Sequence, residues 1–342
     1  MDEEFDDINE KAQRPTIKQA SILFTIAVLL FVTIGSRAQR YDLMKGVIFT
    51  EFVLIMGSAL FFLKAKRYNI KEVLRLNRVD FMPYVLTFFI MLFTIPVISI
   101  VNLGNLSLIK YLFGKILINQ PPVATNFIEL LISVAVIGGS AGICEEILFR
   151  GVLQRAYEGF GWKKGIFIAA FLFGMMHMDF QKLIGTFLLG ALIGYMVYRT
   201  KSLYIGMFAH FCNNSLAVLI SYWATKFSKE ATSTAAQNGD LDFSFLTKLT
   251  DIEIIVTIIT WLVILGLCVS IILAMFRAFN RCTNKYTSSE ESLNYPKESY
   301  RGLLYTIPAI LLIVTVYFYQ GYKLSSMKVP FLEEVLQFIM GR

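Results

Sequence analysis

The residues of this sequence that could do chemistry are few, and they lie inside apolar segments. His177 and His210 are the two histidines among 342 residues, and a Glu145–Glu146 pair lies upstream of both. Ionisable groups are costly in a bilayer, so each of them marks a candidate functional position. A carboxylate and an imidazole can move protons, and a side-chain N–H can stabilise a developing negative charge. The residue types therefore indicate acid–base chemistry within a membrane.

Helical spacing divides the roles of the acidic pair. Glu146 and Arg150 are four residues apart and share one helix face, where an ion pair would lower the cost of placing both charges near lipid. Glu145 is rotated by about 100° from its neighbour and is not committed to the arginine. We predict that Glu146 and Arg150 brace the helix and position Glu145, which is the freer carboxylate.

Two further pairs have the same four-residue spacing. His210 and Asn214 can both donate hydrogen bonds from one helix face, an arrangement that suits an oxyanion site. Phe173 and His177 also share a face, so the aromatic ring can pack against the imidazole and restrict it. The alternatives are that Phe173 is ordinary core and that each histidine is a satisfied packing residue.

The elements that must position these residues are transmembrane helices. The chain is 56% hydrophobic and 17% charged, which makes lipid the solvent for most of it. A span needs about 20 apolar residues. We predict an all-α integral membrane protein, a polytopic bundle of about eight to nine transmembrane helices. The candidate segments are 20–36, 43–63, 82–102, 125–149, 165–180, 183–198, 203–224, 252–276 and 302–320.

The polar stretches organise the rest of the chain. We predict loops at 225–250 and 277–301 and a short amphipathic interfacial helix at the C-terminal tail. Residues 1–124 would hold an N-terminal tail and three transmembrane helices, and 125–225 the catalytic core. Residues 226–342 would hold a loop, two further transmembrane helices and the tail.

Basic residues predict the orientation and the partners. Nearly two thirds of the 32 Lys and Arg residues lie on the same side as the N-terminus, which predicts a cytoplasmic N-terminus. They form short clusters between apolar runs, where they meet lipid headgroups, so membrane lipids are predicted partners and nucleic acid is not. The four cysteines form no CxxC pair, which argues against a zinc knuckle.

Three motifs in order resemble a known family. Glu145-Glu146-x-x-x-Arg150, Phe173-x-x-x-His177 and His210-x-x-x-Asn214 resemble the motifs of the CPBP family, over roughly residues 127–220. That family includes the CAAX prenyl endopeptidases and the Abi group linked to bacteriocin processing and immunity.

The resemblance implies an intramembrane endopeptidase. By similarity, Glu145 and His177 would activate a water, while His210 and Asn214 would stabilise the oxyanion. The two histidines come from different helices, with no other thiolate or carboxylate clearly in reach, which favours a reaction without a cofactor. The alternative is a zinc metalloprotease with Glu145, His177 and His210 as ligands, although HExxH is absent.

Other classes of function remain open at this stage. A non-catalytic bacteriocin immunity or membrane scaffold protein would keep the fold without turnover. A transporter would use the buried ionisable residues as a proton relay, but no inverted repeat or broken helix pair points to one. For the endopeptidase, we expect a peptide or membrane-anchored protein as substrate and a bacterial plasma membrane as location.

Overall fold

Helices form the framework of the protein in the computed structural model, which describes residues 14–116, 124–227, 250–287 and 299–324. Nine long helices occur within these ranges, together with a one-turn helix, Ile70–Val73. The long helices are α1 Ile17–Tyr41, α2 Leu43–Ala65, α3 Phe81–Phe113, α4 Phe127–Phe160, α5 Trp162–Met176, α6 Leu183–Thr200, α7 Leu203–Phe227, α8 Asp251–Thr287 and α9 Tyr300–Leu324.

The membrane prediction is confirmed. Within the described ranges, eight of these helices are long and apolar enough to cross a bilayer. The remaining one, α5, has 15 residues and spans about 22 Å at 1.5 Å per residue, less than the roughly 30 Å of a hydrocarbon core. Its last residue precedes His177, so this histidine lies at a helix end.

The predicted loop at 277–301 is wrong over its first part. Residues 277–287 continue α8, which extends to Thr287. Asn280 in this stretch has partners on α6: Tyr195 donates to Asn280 Oδ1 at 2.8 Å and Arg199 donates to the Asn280 carbonyl at 2.7 Å. Polar residues therefore remain helical here because α6 supplies their partners.

Small residues let the helices around the candidate site approach closely, as is common in membranes. A Cβ on Gly142 would lie 3.1 Å from the Met207 carbonyl, so α4 and α7 are nearly in backbone contact there. A Cβ on Gly190 would lie 3.1 Å from the Phe173 ring, which joins α5 to α6. These contacts bring α4, α5, α6 and α7 together.

The helix α4 has unusual local geometry around the acidic pair. The segment Ala141–Glu146 is α-helical, but Val134–Ser140 before it and Ile147–Gln154 after it are π-helical. Wider π turns often occur at functional sites. At the end of α4, Glu158 accepts two hydrogen bonds from Arg75, at 2.9 and 2.7 Å, which anchors the segment before α3.

Some sequence predictions fall outside the described residues. Most of the 225–250 loop and the C-terminal tail lie there, although 225–227 complete α7. The division at residues 124 and 225 stays a prediction.

Candidate active site

The predicted ion pair in α4 is confirmed. Arg150 Nη1 donates to Glu146 Oε1 at 2.5 Å, and both side chains are almost completely buried. Arg150 Nη2 also donates to the Gly190 carbonyl of α6 at 3.1 Å. The guanidinium therefore neutralises a buried carboxylate and ties α4 to α6, as a bracing residue should.

The helix α7 adds a histidine to this pair. Nδ1 of His210 lies 2.8 Å from Glu146 Oε1, and its Nε2 lies 3.7 Å from Glu145 Oε2. Because Glu146 also accepts from Arg150, it is an acceptor, and Nδ1 of His210 carries the proton of this hydrogen bond. The imidazole thus lies between the two glutamates, with Nε2 facing Glu145.

Phe173 is the aromatic residue on which the site packs. It is buried, and its ring makes edge contacts with His177 at 4.8 Å and His210 at 5.7 Å between centroids. The Arg150 guanidinium lies 4.4 Å from the same ring centroid. The predicted contact between Phe173 and His177 is confirmed, and the ring also touches residues from α4 and α7.

His177 lies at the end of α5 and is half-buried. Its Nδ1 lies 2.9 Å from the Phe173 carbonyl. A carbonyl accepts only, so Nδ1 carries the proton and Nε2 of the neutral ring is left with a lone pair. Within the described ranges no hydrogen bond or ion pair joins His177 to Glu145; the Phe173 ring connects the two histidines.

Asn214 contacts α4 about two turns before the acidic pair. Its Nδ2 donates to the Ile137 carbonyl at 3.1 Å, and its Oδ1 accepts from Asn213 at 3.0 Å. An amide nitrogen has two donor hydrogens. The Ile137 bond therefore orients the group and leaves the second hydrogen available.

A cavity with both polar and apolar walls lies beside this asparagine pair. It has a volume of about 220 Å³ between α3, α6 and α7, and its wall includes Asn102, Lys182, Thr186 and Asn213. Asn213 lines this cavity and donates a hydrogen bond to Asn214, so it connects the cavity wall to the candidate site.

The sequence analysis missed one acidic residue. Glu51 lies in α2, within a predicted span, and is 7% exposed. Its Oε2 is buried without a hydrogen-bond partner, as is Oε2 of Glu145, and the charge of Glu145 acts on Glu51. The sequence did point to Glu51, because an acidic residue in the middle of an apolar span is costly.

The zinc alternative requires at least three His, Cys, Asp or Glu side chains that lie close enough to share one metal ion. Among the residues that the structure describes, no group of three or more His, Cys, Asp or Glu side chains could hold a metal ion. Glu145, His177 and His210 therefore do not form a metal-ligand set in this arrangement.

Comparison with known proteins matches the segment that carries the three motifs. Residues 127–216 match the family model of the type II CAAX prenyl endopeptidases, Rce1-like. The resemblance to the CPBP family is confirmed over this segment. It contains all three motifs, from Glu145 to Asn214.

A curated protein is similar to part of this chain. The Bacillus subtilis (strain 168) protein named "Putative membrane peptidase YdiL" is 30% identical over 111 residues, which is 32% of this chain and 45% of that protein. The chain thus matches less than half the length of this relative. No solved structure matches the chain.

Proposed function

We propose that this protein is an intramembrane endopeptidase that hydrolyses a peptide bond in a membrane-associated protein or peptide. The observation that carries the proposal is the position of His210 between Glu145 and Glu146, with Nε2 3.7 Å from Glu145 Oε2. A freer carboxylate thus faces an oriented imidazole inside a helix bundle. The Rce1-like match to residues 127–216 supports the same reaction class.

Glu145 and His177 activate the water in this proposal. One oxygen of Glu145 has no hydrogen-bond partner, so it is available to take a proton from water. His177 holds its proton on Nδ1 and presents Nε2 as an acceptor. Because the two groups do not touch in this arrangement, the water or the substrate joins them.

His210 and Asn214 stabilise the oxyanion. Hydrogen-bond donors that are held in place before the reaction stabilise charge at little cost during it. Glu146 holds His210 through Nδ1, and the Ile137 carbonyl holds Asn214. Because the Nδ1 proton of His210 is committed to Glu146, His210 donates to the oxyanion through Nε2, and the ring then carries a proton on both nitrogens.

In this proposal the site lies inside the helix bundle, so water and substrate must enter between the helices. The cavity lined by Asn213 offers a route for water. The substrate class is a peptide or a membrane-anchored protein, since the surrounding helices are embedded in lipid. The proposed location is the bacterial plasma membrane, with the N-terminus in the cytoplasm.

The direct test compares peptide products in host membranes. Membranes that contain the wild-type protein or Glu145→Gln are incubated, and new peptide termini are identified by mass spectrometry. We expect termini that depend on Glu145 and persist in the control Glu72→Gln, which changes an exposed glutamate outside the bundle core. Identical termini in all three samples would favour a non-catalytic scaffold or immunity protein.

A further inference from the structure

Glu51 is a buried acid that the proposed mechanism does not use. It lies in the π-helical segment Thr50–Met56 of α2, which packs against the Ala141–Glu146 segment of α4. The Sγ atom of Cys144 lies 4.0 Å from Met56 Sδ across this interface. The α2 helix is outside the segment that matches the family model.

The environment of Glu51 differs from that of its neighbour. Thr50 is also buried, but its hydroxyl donates to the Gly46 carbonyl at 2.7 Å and accepts from Gln39 at 3.2 Å. Glu51 Oε2 has no hydrogen-bond partner and Glu51 has no ion pair within the described ranges. A buried acid without a partner is a costly feature that usually has a function.

The charge that acts on Glu51 comes from another acid, Glu145, on the facing helix. Both acids also act on the Cys144 thiol at this interface. Two like charges repel strongly in a low-dielectric site, so two neighbouring carboxyl groups there are stable when they share one proton. The two unpartnered oxygens together need a donor.

We propose that Glu51 is a second carboxyl group of the candidate site and binds the attacking water together with Glu145. This inference rests on the proposed function. A pair with one proton can accept a hydrogen bond from water through one member and donate through the other. Water bound between both oxygens would meet the need of each.

The chemistry balances without a further reactant. The ionised carboxylate takes a proton from water as the water oxygen bonds to the carbonyl carbon. A proton from the pair passes to the amide nitrogen as the C–N bond breaks. The pair ends with the single proton with which it began, as in other proteases that use two carboxyl groups.

Stability measurements test the pairing independently of any substrate. Glu51→Gln and Glu145→Gln are made singly and together, and the Tm of each purified protein is measured in detergent. We expect Glu51→Gln to raise Tm in the wild-type background and to raise it less in the Glu145→Gln background, because the cost of holding two carboxyl groups close together is then already absent. Equal shifts in both backgrounds would overturn the pairing. Thr50→Val is the matched control and should shift Tm equally in both.

Activity measurements test the role in water binding. The rate at which new peptide termini form in host membranes, per folded protein, should fall on the order of 10²-fold in Glu51→Leu. Glu51→Gln keeps a hydrogen-bonding group and should lie between Glu51→Leu and wild type. A folded Glu51→Leu protein with the wild-type rate would overturn this role.

The two proposals fail in different ways. If wild-type protein forms no new termini, the proposed function fails, and the Tm comparison alone decides whether Glu51 pairs with Glu145. If wild-type protein is active and Glu145→Gln is not, full activity in Glu51→Leu removes only the role of Glu51.

Discussion

His210 Nδ1 and Glu146 Oε1 are 2.8 Å apart, and this contact links α7 to the acidic pair of α4. The same glutamate oxygen accepts from Arg150. One buried carboxylate therefore holds both a charge partner and a histidine, which leaves the adjacent Glu145 for a different task.

Glu145→Gln should abolish turnover and leave the fold intact. The amide keeps the size of the side chain but cannot take a proton from water. Turnover per folded protein should fall to background, while the amount of protein in the membrane stays near wild type. Full activity in Glu145→Gln with total loss in Glu146→Gln would show that the roles of the two acids are reversed.

Arg150→Ala should act on folding. The change leaves Glu146 buried without its charge partner, for which a cost of about 3 to 5 kcal/mol is typical. It also removes the hydrogen bond to the Gly190 carbonyl of α6. Lower accumulation and a lower Tm are expected, whereas the exposed Lys71→Ala should match wild type. A stable, abundant Arg150→Ala protein would contradict the bracing role.

Asn214→Ala should lower the rate without eliminating it. Loss of one oxyanion donor typically lowers kcat on the order of 10² to 10³-fold, or about 3 to 4 kcal/mol.

His177→Ala should be nearly as severe as Glu145→Gln, because groups that act as a unit do not contribute additively. The check is kcat of each variant on one cleaved peptide; an Asn214→Ala rate equal to wild type would argue against this donor.

Activity should survive exhaustive chelation, because the proposed mechanism assigns the base and oxyanion roles to side chains. Purified protein would be treated with a strong chelator, and its metal content and turnover would be measured together. The opposite result is stoichiometric zinc whose removal stops turnover and whose return restores it. That result would require the donors to rearrange from the positions they have here.

The N-terminus should face the cytoplasm and the 225–250 loop should face outward. The charge bias motivates this orientation. Reporter fusions or cysteine accessibility at positions 5 and 235 would measure the two sides. If both positions lie on the same side, the predicted alternation of spans is wrong.

The sequence alone determined the class of protein and much of the candidate site. Long apolar runs require helices in lipid, since the backbone can satisfy its own hydrogen bonds there only in a few ways. The Glu146–Arg150 pair was predictable because both residues are on one helix, where spacing decides which side chains meet. The resemblance of the three motifs identified the segment that the family model matches.

The tertiary structure decided the contacts between helices. Spacing within α7 could not predict that His210 lies between Glu145 and Glu146, and nothing local relates Glu51 on α2 to Glu145 on α4. The continuation of α8 through residues 277–287 also depends on partners from α6. These features follow from how the helix faces pack, and packing joins residues that are remote in the chain.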